Sequence, residues 1–225
     1  MIEIFIDIET VPTTRAEVIA QCIADVGPPA NYKKAETIEQ WWETEGEAKK
    51  ARAVEATALD GTWGELLMVG IAVDDAPVEV LRRTTTEADL LRQFALTLND
   101  RCMKADRGSP MWPAIAKWIG HHIMDFDLRF LWQRSRLCGV PFPFSLPLRQ
   151  HSPSVFDTMK EWAGPRGYIK QTDLELAFNI ERDDPLPNGG ADVFAAFKEG
   201  RIDDIAEHVR LDVEDVRKIY RRMTA

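Results

Sequence analysis

The sequence predicts an α/β protein: a mixed five-stranded sheet flanked by helices, with a helical arm inserted after the first strand. Three observations predict it. Ile2, Ile4, Ile6 and Ile8 alternate with Glu3, Phe5, Asp7 and Glu9, which is the period of a strand with one apolar face. Residues 66–73 are an unbroken apolar run followed by Asp74-Asp75-Ala76-Pro77 and a second alternating stretch, the pattern of a hairpin. From residue 85 onward helical spacing and short apolar runs take turns, and parallel strands need crossovers of that kind.

In order, residues 1–10 form the first strand. Thr13 or Thr14 is placed to cap a helix over 15–26, which Gly27-Pro28-Pro29 stops. Residues 35–59, rich in Glu, Lys and Ala, read as one helical arm whose Trp41-Trp42 pair is expected to dock it on the body, with a platform for bases as the alternative. Gly61 and Gly64 mark a turn before strands 66–73 and 77–82. Thr85 or Thr86 caps a helix to residue 98, with Leu90, Leu91, Phe94 and Leu98 at helical spacing. A polar loop is expected over 100–113, a buried strand over 115–123, and a helix over 128–137 with Leu128, Leu131, Trp132 and Ser135 on one face. A proline-rich loop (141–153) leads to an edge strand at 155–159, and helices are expected over 172–178, 190–198 and 202–223. No repeat or linker cuts the chain, so residues 1–225 read as one domain.

Composition bounds the function. With 45% hydrophobic and 29% charged residues the chain is that of a globular protein, and 225 residues suffice for a substantial core. No apolar run reaches membrane-spanning length and no leader precedes the first strand, so a cytoplasmic location without membrane contact is expected. Cys22, Cys102 and Cys138 lack metal-ligand spacing, which excludes a zinc ribbon. A net charge of -9 makes the chain as a whole repel nucleic acid, so any such contact must be local. Basic residues gather at Arg129, Arg134 and Arg136, at Arg149, Lys160, Arg166 and Lys170, and at Arg210, Arg217, Lys218, Arg221 and Arg222.

Four acids stand out. Asp7 and Glu9 share one face of the first strand, roughly 7 Å apart at ~3.3 Å per residue. Carboxylates so placed repel unless a cation or solvent separates them; a metal site and a wet acidic edge are the two readings. Asp127 opens a helix after a buried strand, where it is a metal ligand or a cap favoured by the helix dipole. His208 and Asp212, four apart, share a face of the last helix, as a catalytic or a surface pair.

Together these features resemble the four-acid (DEDD) 3'-5' exonucleases built on a ribonuclease-H-like sheet, closest to the standalone exonuclease domains of family-B DNA polymerase type. The wording that carries the resemblance is Ile6-Asp7-Ile8-Glu9-Thr10-Val11-Pro12, then the run from Gly120-His121-His122 through Met124-Asp125-Phe126-Asp127 to Leu131. It ends with residues 189–213, which close on His208-Val209-Arg210-Leu211-Asp212-Val213. The resemblance implies that Asp7, Glu9, Asp127 and Asp212 hold two divalent ions, magnesium or manganese, with Asp125 the rival to Asp127. It implies hydrolysis of single-stranded DNA or unpaired DNA 3' ends to nucleoside monophosphates. The alternatives are a 3'-5' exoribonuclease acting on RNA and a nucleic-acid-binding module without turnover. A tyrosine precedes the last acid by four residues in the branch this chain resembles; His208 holds that place here and is expected to be the general base, with an ordinary pKa of ~6.5 suited to the task. A His-Asp phosphohydrolase, suggested by His121, His122 and Asp125, would need more histidines than His151 and His208 provide.

Overall fold

The computed structural model describes every residue except Ser109, Pro110, Gln150, His151 and Asn188, and all but the side chain of Ala191. The proline-rich loop therefore holds two residues outside the described set, His151 among them. The chain divides into two compact units, Met1–Glu9 with Leu66–Ala225, and Thr10–Glu65. The expected arm thus lies within a second unit that begins well before it.

The first unit is α/β. Its sheet has the order β3-β2-β1-β4-β5, with β1 (Ile2–Val11) central, β2 (Glu65–Val73), β3 (Glu79–Arg82), β4 (Ala116–Gly120) and β5 (Val155–Asp157). β2 and β3 are antiparallel, whereas β1, β4 and β5 are parallel, with Ile2 beside Ala116 and Trp118 beside Val155. The sheet is mixed, as expected. One face of β1 buries Ile2, Ile4, Ile6 and Ile8 against α4 (Glu87–Ala105) and α6 (Asp127–Leu137). The other face puts Phe5 under Val213, Val216 and Tyr220 of α10 (Ile202–Thr224). Period-two alternation therefore delivers Asp7 and Glu9 to the α10 side, two and four residues beyond Phe5.

α10 runs back along β1. Tyr220 donates its hydroxyl to Glu3 at one end and His208 lies 3.6 Å from Glu9 at the other. Six strand residues span about 20 Å and twelve helical residues about 18 Å, so the two elements stay in step. Gly70 of β2 makes this contact close: a Cβ there would lie 2.5 Å from Val209 Cγ1 and 2.9 Å from Val213 Cγ2.

Several boundaries depart from expectation. α4 continues to Ala105 through the predicted loop, because Cys102 extends its buried stripe one turn past Leu98 and Lys104 pairs with Asp100. A short helix α5 (Trp112–Ile115) precedes β4. β4 ends at Gly120, and His122 adopts a φ of 59° where the chain turns out of the sheet. β5 stops at Asp157, whose carboxylate accepts the Met159 and Lys160 N–H groups and starts α7 (Thr158–Ala163). On α6, Leu128, Leu131 and Ser135 are buried but Trp132 is 40% exposed. Thr86 caps α4 in a capping box with Asp89. The remaining helices of this unit are α8 (Gln171–Ala177) and α9 (Gly190–Glu199).

The second unit is helical: α1 (Ala16–Ala24), α2 (Ala35–Trp41) and α3 (Glu47–Glu55), with α1 packed on α3. A π-helical segment at Trp42–Gly46 joins α2 to α3, and a 3-10 turn at Ala56–Leu59 follows. Gly46 lets the Trp42 ring lie against its own helix, since a Cβ there would meet the ring at 2.7 Å. Trp41 is buried with its ring edge-on to Trp42. Neither Thr13 nor Thr14 caps α1: Thr13 Oγ1 accepts the Arg15 N–H, and Thr14 donates its hydroxyl to Glu65.

Candidate metal centre

The carboxyl-terminal half of β1, the start of α6, the amino-terminal half of α10 and residues 171–184 meet in the first unit. Asp127 is buried, and its Oδ1 accepts the Ile8 N–H at 3.1 Å. It does not cap α6: it is the first helical residue, and the N-cap Phe126 makes no side-chain cap. Asp125 is half-exposed and paired with Lys160 at 2.6 Å, so the rival acid stands outside the cluster.

His208 is buried on α10. Its Nδ1 lies 2.8 Å from Asp184 Oδ2, and its Nε2 lies 3.2 Å from Asp212 Oδ2 and 3.6 Å from Glu9 Oε1. Glu9, His208 and Asp212 each present one donor atom within 4.8 Å of the others, so a single cation fits among them. Asp7 and Asp127 are not members of that tight group. They are joined to it by charge, since both feel Asp212.

One guanidinium holds the floor of the site. Arg182, 8% exposed, donates Nη1 to Asp212 Oδ1 at 2.6 Å and to Glu175 Oε1 at 3.1 Å, and Nη2 lies 2.6 Å from Asp184 Oδ2. Gln171 Nε2 donates to the same Asp212 Oδ1 and to Glu175 Oε1, both at 2.9 Å. Asp212 therefore has one oxygen committed to the protein, while the other faces His208 and Glu9.

The electrostatics favour a cation. Burial, then the charges of Asp212, Asp127 and Glu9, push the Asp7 carboxyl well above the usual range, and Arg182 opposes them. Burial, then Asp212, Asp127 and Asp184, do the same to Glu9. Burial pushes Asp127 up to about 7 despite the N–H groups it accepts. Asp7 Oδ2 is enclosed and has no hydrogen-bond partner among the described residues. A buried acceptor left so is expensive unless a proton or metal ion takes its lone pairs. Hard oxygen donors with one imidazole suit a divalent ion of the magnesium or manganese kind.

Asp7, Glu9, Asp127, His208 and Asp212 thus share one neighbourhood. Sequence reasoning missed Arg182, Asp184, Gln171 and Glu175, which orient and neutralise them. The available signal was Arg182-Asp183-Asp184 just before Pro185, a charged cluster in what read only as a helix separator. His121 has both ring nitrogens engaged, by Thr158 Oγ1 at 2.9 Å and the Ile169 carbonyl at 3.0 Å, and the His122 N–H donates to Asp157. These contacts make the two histidines a hydrogen-bonded strand end. No protein-family model matches the chain, and no curated protein matches it; the functional reading rests on this site.

Proposed function

We propose that this chain is a metal-dependent 3'-5' exonuclease of ribonuclease-H-like fold, hydrolysing phosphodiester bonds at single-stranded or unpaired DNA 3' ends. The observation that carries the reading is the gathering of Asp7, Glu9, Asp127 and Asp212 around His208, from segments more than 200 residues apart in sequence, with Asp7 Oδ2 buried and unmatched.

Asp7, Glu9, Asp127 and Asp212 would hold the divalent ion or ions, which leaves His208 to handle the proton. Bound there, such ions supply positive charge against the oxygens of the phosphate being cleaved. The chain's own groups do the rest. His208 Nδ1 meets Asp184 Oδ2 at 2.8 Å and Arg182 Nη2 at 3.0 Å, which fixes the ring; Nε2, which faces Asp212 and Glu9, is the atom to take a proton from the attacking water. Arg182 and Gln171 hold Asp212 in one orientation. The half-site around Asp127 is tied to β1 through the Ile8 N–H, so strand and helix move together.

A second reading is favoured by Arg182. Because its guanidinium already neutralises Asp212, Asp184 and Glu175, the pocket is partly satisfied without metal, which suits a nucleic-acid-binding module without turnover. A single-stranded oligonucleotide labelled at its 5' end, incubated with magnesium or manganese, separates the two. Stepwise shortening from the 3' end supports the nuclease. An intact oligonucleotide with both metals, bound but never shortened, supports the module; intact 5'-labelled RNA in the same assay removes the exoribonuclease alternative.

A further inference from the structure

An exposed aromatic and basic surface adjoins the acidic site. Trp162 of α7 is 50% exposed and meets Phe178, just past α8, edge-on at 5.3 Å. Between these helices Tyr168 is 73% exposed, with Arg166 and Lys170 exposed on either side of it. Rings of this size are normally covered, and an uncovered set marks a surface that meets something else.

The segment bearing Tyr168 is fixed at both flanks. His121 Nε2 meets the Ile169 carbonyl, which ties the segment to the end of β4. Gln171 donates to Asp212, which ties it to the candidate ligands. Upstream, Gly164 has a φ of 81° and its carbonyl accepts the Gly167 N–H, while a Cβ on Gly167 would lie 2.0 Å from the Ala163 carbonyl oxygen. The turn is therefore tight, with no room for a side chain at Gly167, and ends at Tyr168.

Charge selects the partner. Several of the chain's cations are already engaged: Arg134 pairs with Glu87, Lys160 with Asp125, Arg210 with Glu207, Lys218 with Asp215 and Arg221 with Glu3. Arg166 and Lys170 face no carboxylate within 4 Å among the described residues. Free cations beside exposed rings, on a chain of net charge -9, favour an anionic occupant with flat faces.

We propose that Tyr168, Trp162, Arg166 and Lys170 form a platform for single-stranded DNA, the rings stacking on unpaired bases and the cations meeting the phosphates, so that the strand is delivered to the acids through the pinned segment. This rests on the exonuclease reading for its choice of DNA. The test is fluorescence anisotropy of a labelled 12-nucleotide oligothymidine with the full chain in chelator, where nothing is cleaved. Tyr168→Ala should weaken binding about tenfold, and leave binding of a 12-base-pair blunt duplex unchanged. The double variant Arg166→Gln with Lys170→Gln should lower the slope of log affinity against log salt by about 1.4, two phosphates at about 0.7 each. Unchanged melting temperatures establish that the variants fold.

Equal affinity of wild type and both variants for the oligothymidine overturns the platform, and if both also shorten it with the same KM the nuclease reading stands alone. Tyr168-dependent binding without any shortening in magnesium or manganese keeps the platform and removes the hydrolytic reading. Tighter binding of a 12-nucleotide oligouridine overturns the assignment to DNA.

Discussion

Gly70→Ala tests whether the close approach of α10 to the sheet builds the site. Unstrained carbon contacts lie at about 3.5–4.0 Å. The new methyl would stand 2.5 Å from Val209 Cγ1, 2.9 Å from Val213 Cγ2 and 3.3 Å from the Val209 carbonyl oxygen. Neither valine can swing aside, because β-branched side chains in a helix hold essentially one rotamer. α10 must therefore withdraw by about 1 Å, an overpacking that costs about 1–3 kcal/mol and lowers the melting temperature by about 5 °C in a chain of this length. His208 and Asp212 each precede one of the two valines, so they leave Glu9 and Asp7 by the same distance. Ligand positions tolerate only about 0.2 Å, and manganese affinity measured by calorimetry should fall at least tenfold. Gly27→Ala, with nothing within 4 Å, is the control and should be silent. A Gly70→Ala protein that melts and binds manganese like the wild type would refute the argument that this glycine sets the helix height.

The acids make further predictions. Asp7, Glu9 and Asp127 have folded-state values above their ordinary ones, so the stability they allow is complete below about pH 4 and is lost as pH rises through the raised values. Raising Asp127 from 3.8 to about 7 withdraws about 4 kcal/mol across that interval. Asp184, held low by the Leu186 N–H, His208 and Arg182, acts in the opposite sense below pH 4, so melting of chelated protein should be followed from pH 5 to 8; a flat profile there contradicts the reasoning. Asp7→Asn should raise the melting temperature of the chelated protein at pH 8 while abolishing manganese binding; a variant that loses stability in chelator goes against the buried, unmatched oxygen. Arg182→Gln should cost about 3–5 kcal/mol in urea denaturation, because Asp212, Glu175 and Asp184 lose their shared cation. Asp184→Asn should lower turnover or metal affinity about 10- to 100-fold by releasing the His208 ring; wild-type values for both would show that Asp184 does not orient it.

What the sequence disclosed was local or periodic. The alternation of residues 2–9 fixed which face of β1 carries Asp7 and Glu9, the four-residue step from His208 to Asp212 put both on one helical face, and Thr86 with Asp89 announced the start of α4. The resemblance named the five residues that the fold brings into one neighbourhood. What stayed hidden was long-range: Arg182 is an isolated basic residue in sequence, and only the placement of α8 and α10 surrounds it with Glu175, Asp184, Asp212 and Asp215. The end of β4 was misjudged because Ile123 continues the apolar pattern, although the backbone has already left the sheet at His121. The extension of α4 past Leu98 was masked by polar residues that stay on the outer face of the same helix. Residues 10–65 gave no charge shift or flexible stretch to announce a unit of their own.

The centre of the sheet is closed by elements from opposite ends of the polypeptide. β1 pairs with β4, more than a hundred positions later, and is roofed by α10. During synthesis the isoleucine face of β1 can be covered once α4 and α6 have been made, whereas its Phe5 face waits for α10, about two hundred positions later. Closure of that face is consequently late and non-local, and the grouping of Glu9 with His208 and Asp212 forms only with α10 in place.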